Sequence, residues 1–143
     1  VTVQAQVLNL MKSIQDEFGN SIIFITHDLG VISEIADRVH VMYAGKIVEK
    51  GTTEEIFNKP LHPYTQGLME SKIRREYKSK TLPFIPGTVP SPQNFPKGCR
   101  FNPRCNFVKD ICKEEEPKEN ELGNEHLVSC WLYGNGGNQL ENN

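Results

Sequence analysis

Five side chains in this sequence combine a reactive type with a suggestive spacing. His27 closes the run SIIFITHDL at residues 21–29, just past four consecutive apolar residues, Ile22, Ile23, Phe24 and Ile25. A neutral imidazole at a strand end can donate to a phosphate oxygen or orient a water molecule. The plainer alternative is a histidine that packs and hydrogen-bonds locally. Cys99, Cys105, Cys112 and Cys130 are spaced C-x5-C-x6-C-x17-C in the last third of the chain. Four thiolates suit a zinc ion or a [4Fe–4S] cluster. The alternative is four free or structural cysteines in a small lobe. The spacing is not the pair of C-x-x-C units usual for structural zinc, which weighs against zinc. Gly98 and Pro103 permit sharp turns around the first two cysteines, and Lys97, Arg100, Arg104 and Lys109 can offset a four-thiolate charge. His126, four residues before Cys130, is read as a surface residue, with replacement of a cysteine ligand as the alternative. The glutamates of residues 113–125 read as a solvated loop rather than a hard-metal site.

These residues need a scaffold. Val3, Val7, Leu10, Met11, Ile14 and Phe18 share one helical face, so a helix is expected over residues 3–18, stopped by Gly19-Asn20. A continuous apolar run is the pattern of a strand buried on both faces, as in a parallel sheet, so residues 21–26 are expected to be such a strand. His27 then lies at the carboxyl edge, where ligands of open α/β sheets bind. Asp28 can cap a following helix that ends near Ala36. RVHVMY (38–43) and KIVEK (46–50) alternate as two strands around the turn Ala44-Gly45, with Gly51 as breaker. Thr52 and Glu55 form a capping box for a short helix to about Asn58, and Pro63 suits the first turn of a helix over about 63–73.

Residues 72–80 are basic and polar; they read as solvated linker, with contact to anionic lipid as an alternative. Five prolines between 81 and 98 exclude long regular elements. The expected organisation is therefore an α/β part over 1–72, a Pro-rich linker over 73–96, a Cys-rich module over 97–133 and a disordered tail over 134–143. Trp131 and Tyr133 are expected to cover the cysteine site. A net charge of −2 gives no reason to expect nucleic-acid binding. No run approaches the roughly 20 apolar residues of a membrane span, and no secretory signal is visible, which favours metal ligation over disulfides. The chain opens on Val1 as if inside an element, so a longer reading frame is expected.

The order helix, IIFITHDLGVISEIADRVHVMYAGKIVEKGTTEEIF, then LHPYTQGLMES resembles the ATP-binding subunits of ABC transporters, with ITHDL and YAGKIVEKG the specific pair. LHPYTQGLMES, IPGTVPSP and GCRFNPRCNFVKDICKEEEPKENELGNEHLVSC resemble the oligopeptide and dipeptide importers in particular. The resemblance implies an α/β fold. It would be the C-terminal end of an ABC-type P-loop nucleotide-binding domain, followed by a small irregular Cys-rich module. It implies that His27 is the switch-loop histidine, contacting the γ-phosphate and attacking water of ATP bound with Mg²⁺. It implies that Cys99, Cys105, Cys112 and Cys130 are associated with an iron–sulfur cluster. It also implies a dimer with a second ATP-binding subunit, transmembrane permease subunits as partners, and a peripheral place on the cytoplasmic face of the cell membrane.

The departures are equally specific. No G-x-x-x-x-G-K-[ST] phosphate loop (Walker A), no signature loop and no Walker B strand occur in these 143 residues. Gly45-Lys46 is followed by Ile47 inside a hairpin and does not qualify. The chain alone is therefore expected neither to bind ATP tightly nor to hydrolyse it, and to be prone to aggregation through the unpaired strand 21–26. Two other readings are a free-standing four-cysteine interaction module, holding iron–sulfur or zinc and lacking ATPase activity, and a zinc-stabilised binding domain.

Overall fold

The computed structural model describes residues 3–76 and 85–134. They fall into two compact units divided between Asp37 and Arg38.

The first unit carries two helices. α1 (Val3–Phe18) matches the apolar 3.6-residue period and ends at Gly19, whose φ of 63° suits a residue without a Cβ. α2 (Leu29–Ile35) is capped by Asp28, whose carboxylate accepts from Gly30 N at 2.8 Å and Val31 N at 3.3 Å. Between them the expected buried strand does not form. Residues 21–26 carry no ladder, and Ile23 and Ile25 are 90% and 96% exposed. An apolar run becomes a strand only when a neighbour takes its N–H and C=O groups, and among the described residues none pairs with it. The exposed apolar face of α1 (Val3, Val7, Leu10, Ile14, Phe18) has the same origin.

The second unit is built on a four-stranded sheet of order β1-β2-β4-β3. β1 (Arg38–Tyr43) alternates cleanly, with Val39, Val41 and Tyr43 buried and Arg38, His40 and Met42 exposed. A turn at Ala44-Gly45, both at positive φ, leads into β2 (Lys46–Thr52). β2 runs two residues beyond the expected stop, because Gly51 stays in the ladder opposite Val39. The register slips at Val48: Val41 faces Glu49 and Met42 faces Ile47. The slip breaks the alternation, so Val48 and Glu49 are both buried. α3 (Thr53–Asn58) starts with the expected capping box, Thr52 Oγ1 accepting from Glu55 N while Glu55 accepts from Thr52 N at 2.8 Å. α4 (Pro63–Glu76) follows.

The sheet is completed from the far end of the chain. After the short helix α5 (Asp110–Glu114) come β3 (Glu119–Glu121) and β4 (Leu127–Ser129). β4 pairs with β3 on one side and with β2 on the other. Every pairing among the described residues is antiparallel, and none includes residues 21–26, where a strand of a parallel sheet was expected. Part of the Pro-rich stretch, 77–84, and residues 135–143 of the tail lie outside the described residues. Of the rest of that stretch, Ile85 and Pro86 are fastened by Arg104, which donates to their carbonyls at 2.7 and 2.8 Å.

The core of this unit joins hairpin, α4 and cysteine lobe. Tyr43, Tyr64 and Phe101 stack edge-on, Tyr43 lying 4.8 Å from Tyr64 and 5.1 Å from Phe101 between ring centres, and His62 lies 5.6 Å from Phe101. The Arg100 guanidinium donates to the Ala44 carbonyl and lies 4.0 Å from the centre of the Phe95 ring. Among the described residues no helix is long and apolar enough to cross a membrane.

Candidate functional site

His27 belongs to the first unit and the four cysteines to the second. His27 is exposed, at a bend between the 21–26 stretch and the Asp28 cap. Its position is held from both sides: Thr26 Oγ1 accepts from Asp28 N at 3.0 Å, and Asp28 starts α2. The imidazole is thus presented on a short, locally ordered loop.

The cysteine lobe is sewn together through its backbone. Cys99 N donates to Cys112 O at 2.8 Å, and the Asn102 side-chain amide donates to the same carbonyl at 3.2 Å. A Cβ on Gly98 would sit 2.4 Å from Cys112 O, so only glycine lets these two segments approach. A single 3₁₀ turn, Asn102–Arg104, delivers Cys105. Cys112 lies on α5, and Cys130 follows β4 directly.

All four cysteines are free thiols, and they converge electrostatically. Burial pushes the Cys99 and Cys105 thiols above their usual range, and the neighbouring cysteines push in the same direction. Cys130 is pushed up to about 12, first by burial, with the other three cysteines adding to it. Opposing this, each sulfur has a backbone N–H aimed at it. Phe107 N and Lys109 N reach Cys105 and Cys112 Sγ at 3.4 Å. Phe101 and Asn102 serve Cys99, and Leu132 serves Cys130. Among the described residues, no three His, Cys, Asp or Glu side chains stand as a ready metal shell. The donor chemistry nevertheless fits a soft cation: four sulfurs, three of them (Cys99, Cys105 and Cys130) hard to ionise alone, each with an N–H to stabilise a thiolate once a cation is bound.

Beside this lobe lies a group the sequence did not single out. Glu49 is 1% exposed, and its carboxylate accepts from Leu61 N at 2.8 Å, His62 N at 2.9 Å and His126 Nε2 at 2.7 Å. His126 is therefore a buried partner of Glu49, which corrects its reading as a surface residue. The signal was present as an acid interrupting the apolar side of KIVEKG, but only the register slip shows that it turns inward. His62 is also buried, and burial lowers its pKa to about 4; the neutral ring accepts from Tyr64 N through Nδ1 at 3.1 Å. Tyr133, expected to cover the cysteine site, packs with Cys130 and Val128 in one buried cluster. The acidic loop is exposed but not idle, since Glu116, Glu119 and Glu125 pair with Lys46, Lys50 and Arg38 of the hairpin at 3.0, 2.6 and 2.6 Å.

Comparison with known proteins agrees with the resemblance drawn from the motifs. Residues 48–112 match the family described as "Oligopeptide/dipeptide transporter, C-terminal region". The oligopeptide transport ATP-binding protein AppD of Bacillus subtilis is 49% identical over 133 residues, 93% of this chain and 40% of the relative. AppF of the same organism, also named an oligopeptide transport ATP-binding protein, is 46% identical over 93% of this chain and 41% of its own. The dipeptide transport ATP-binding protein DppF of Haemophilus influenzae is 47% identical over 92% of this chain and 40% of its own. The chain thus spans about two fifths of the length of these relatives. It is similar to part of these peptide-transport ATP-binding proteins, and residues 48–112 resemble the C-terminal region of that family.

Proposed function

We propose that this chain is the C-terminal part of a subunit that couples ATP hydrolysis to oligopeptide or dipeptide uptake. The carrying observation is similarity over more than nine tenths of the chain to proteins named as peptide-transport ATP-binding subunits. In this reading His27 meets the γ-phosphate and attacking water at the dimer interface, and the exposed bend that presents it supports that role. ATP and Mg²⁺ are held mainly by a phosphate loop and Walker B strand supplied by the rest of the subunit. The partners are permease subunits and a second ATP-binding subunit, at the cytoplasmic face of the membrane. The free-standing four-cysteine module is the less favoured reading, because the similarity runs through both halves of the chain.

The proposal extends to Cys99, Cys105, Cys112 and Cys130 as ligands of a [4Fe–4S] cluster or, alternatively, zinc. Such a group would supply a positive centre that favours the thiolate form of its ligands. The chain's own part is to aim N–H groups at the sulfurs and to exclude water from Cys130. Iron, sulfide and zinc analysis of anaerobically purified protein tests this half: zinc without sulfide removes the cluster, and no metal at all removes both. For the other half, the isolated chain is expected to show no ATP turnover above background. In the subunit that contains this chain, His27→Ala is expected to lower turnover about a hundredfold or more while nucleotide binding stays within about threefold. Unchanged turnover in that variant contradicts the assignment of His27.

A further inference from the structure

We propose that Glu49 and His126 form a latch that holds the β3–β4 ribbon on β2 and keeps Cys130 in place. The inference rests on the four cysteines being ligands and adds a residue pair that positions one of them. The ladder between β2 and β4 is only two residue pairs long, Glu49 with Val128 and Lys50 with Leu127. So short a ladder is marginal by itself. The side chain of Glu49 lies at that junction and reaches His126, one residue before β4 begins.

Glu49 also acts from a second direction. It accepts the N–H of Leu61, whose carbonyl accepts from Tyr133 Oη at 2.9 Å. Leu61 and Tyr133 both pack in the cluster that buries Cys130. One carboxylate thus fixes the strand leading into Cys130 and the wall that covers it. Space for the imidazole is reserved at Gly51, where a Cβ would lie 3.1 Å from His126 Cδ2. A buried carboxylate that loses one of its three donors is disfavoured even though Leu61 N and His62 N remain, which ties the seating of the ribbon to the His126 contact.

The test is time-resolved alkylation of the full chain by N-ethylmaleimide, read cysteine by cysteine by mass spectrometry, together with Zn²⁺ affinity measured against a chromophoric chelator. Glu49→Gln and His126→Gln are each expected to raise the Cys130 rate about tenfold or more, the scale of one lost charge-assisted hydrogen bond. Cys105 should stay within about twofold and Zn²⁺ binding should weaken. The double variant should go little beyond the larger single effect, because both residues serve one contact. Gly51→Ala, whose Cβ would crowd the imidazole at 3.1 Å and the Glu55 carboxylate at 3.0 Å without removing charge, should act in the same direction but more weakly. An unchanged Cys130 rate in the two single variants overturns the latch, as does an equal rise at all four cysteines. If the unsubstituted chain takes up no Zn²⁺ and the Cys130 effect persists, the ligand reading fails while the latch stands. If Zn²⁺ binds equally well to all variants and the Cys130 rate does not move, the latch fails while the ligand reading stands.

Discussion

Residues 21–27 (SIIFITH) and residues 46–52 (KIVEKGT) are both short segments with a strand-like apolar stretch, and the structure treats them oppositely. The first leaves Ile23 and Ile25 in solvent with no ladder. The second has neighbours on both sides, β1 and β4, and buries even a carboxylate. The difference is not in propensity, since IIFIT is the better strand sequence by composition. It lies in pairing: β2 has its turn partner next to it and receives β4 from a segment far along the chain. A strand is a relation between segments, and the fold of each region follows from which partners it has.

Ways to break the comparison follow in order of size. The largest effect is expected at Gly98→Ala, because two backbones must separate to admit a Cβ 2.4 Å from Cys112 O. A loss of about 3 kcal/mol or more, with the cysteine lobe opening first, is the expected result of chemical denaturation. Next comes pH. Burial holds the folded-state pKa of His62 near 4, against an ordinary value of 6.5. The folded value is the lower one, so the unfolded chain takes up the proton first. Stability is therefore full above about pH 6.5 and falls as pH drops towards 4, by about 3 kcal/mol in total. Denaturation at about pH 7 and about pH 4.5 should show the loss, and His62→Gln should flatten it.

A matched pair of truncations then contrasts the two regions directly. Ile56→Ala, at a fully buried site, is expected to cost about 2–4 kcal/mol. Ile23→Ala should stay within about 0.5 kcal/mol, because that side chain is already in water. Equal costs would mean that residues 21–26 have packing partners within this chain. A similarly small effect is expected at Lys50→Ala, which removes the partly exposed pair with Glu119. It should cost less than about 1 kcal/mol and shrink further in high salt.

Local signals were legible in the sequence. The Asp28 cap, the Thr52–Glu55 capping box, the Gly19 stop and the Ala44-Gly45 turn each depend on residues within a few positions, and each appears where its chemistry places it. The four cysteines stood out in the sequence as a group, and the structure places all four in the second unit as free thiols. What did not show was anything fixed by distant partners. Glu49 and His126 lie 77 positions apart, and neither residue type announces burial. The run 21–26 misled for the same reason: its pattern states what it would do with neighbours and is silent on whether this chain provides them.

The most direct measurement is native-state hydrogen exchange on the full chain. If hairpin and cysteine lobe share one sheet while residues 21–26 stand unpaired, ladder amides of β2 and β4 should exchange in one cooperative step. Their protection should be about a thousandfold or more. Amides of residues 22–26 should exchange within about tenfold of the unfolded rate. Exchange of β4 while β2 remains fully protected, or strong protection across residues 22–26, would contradict it.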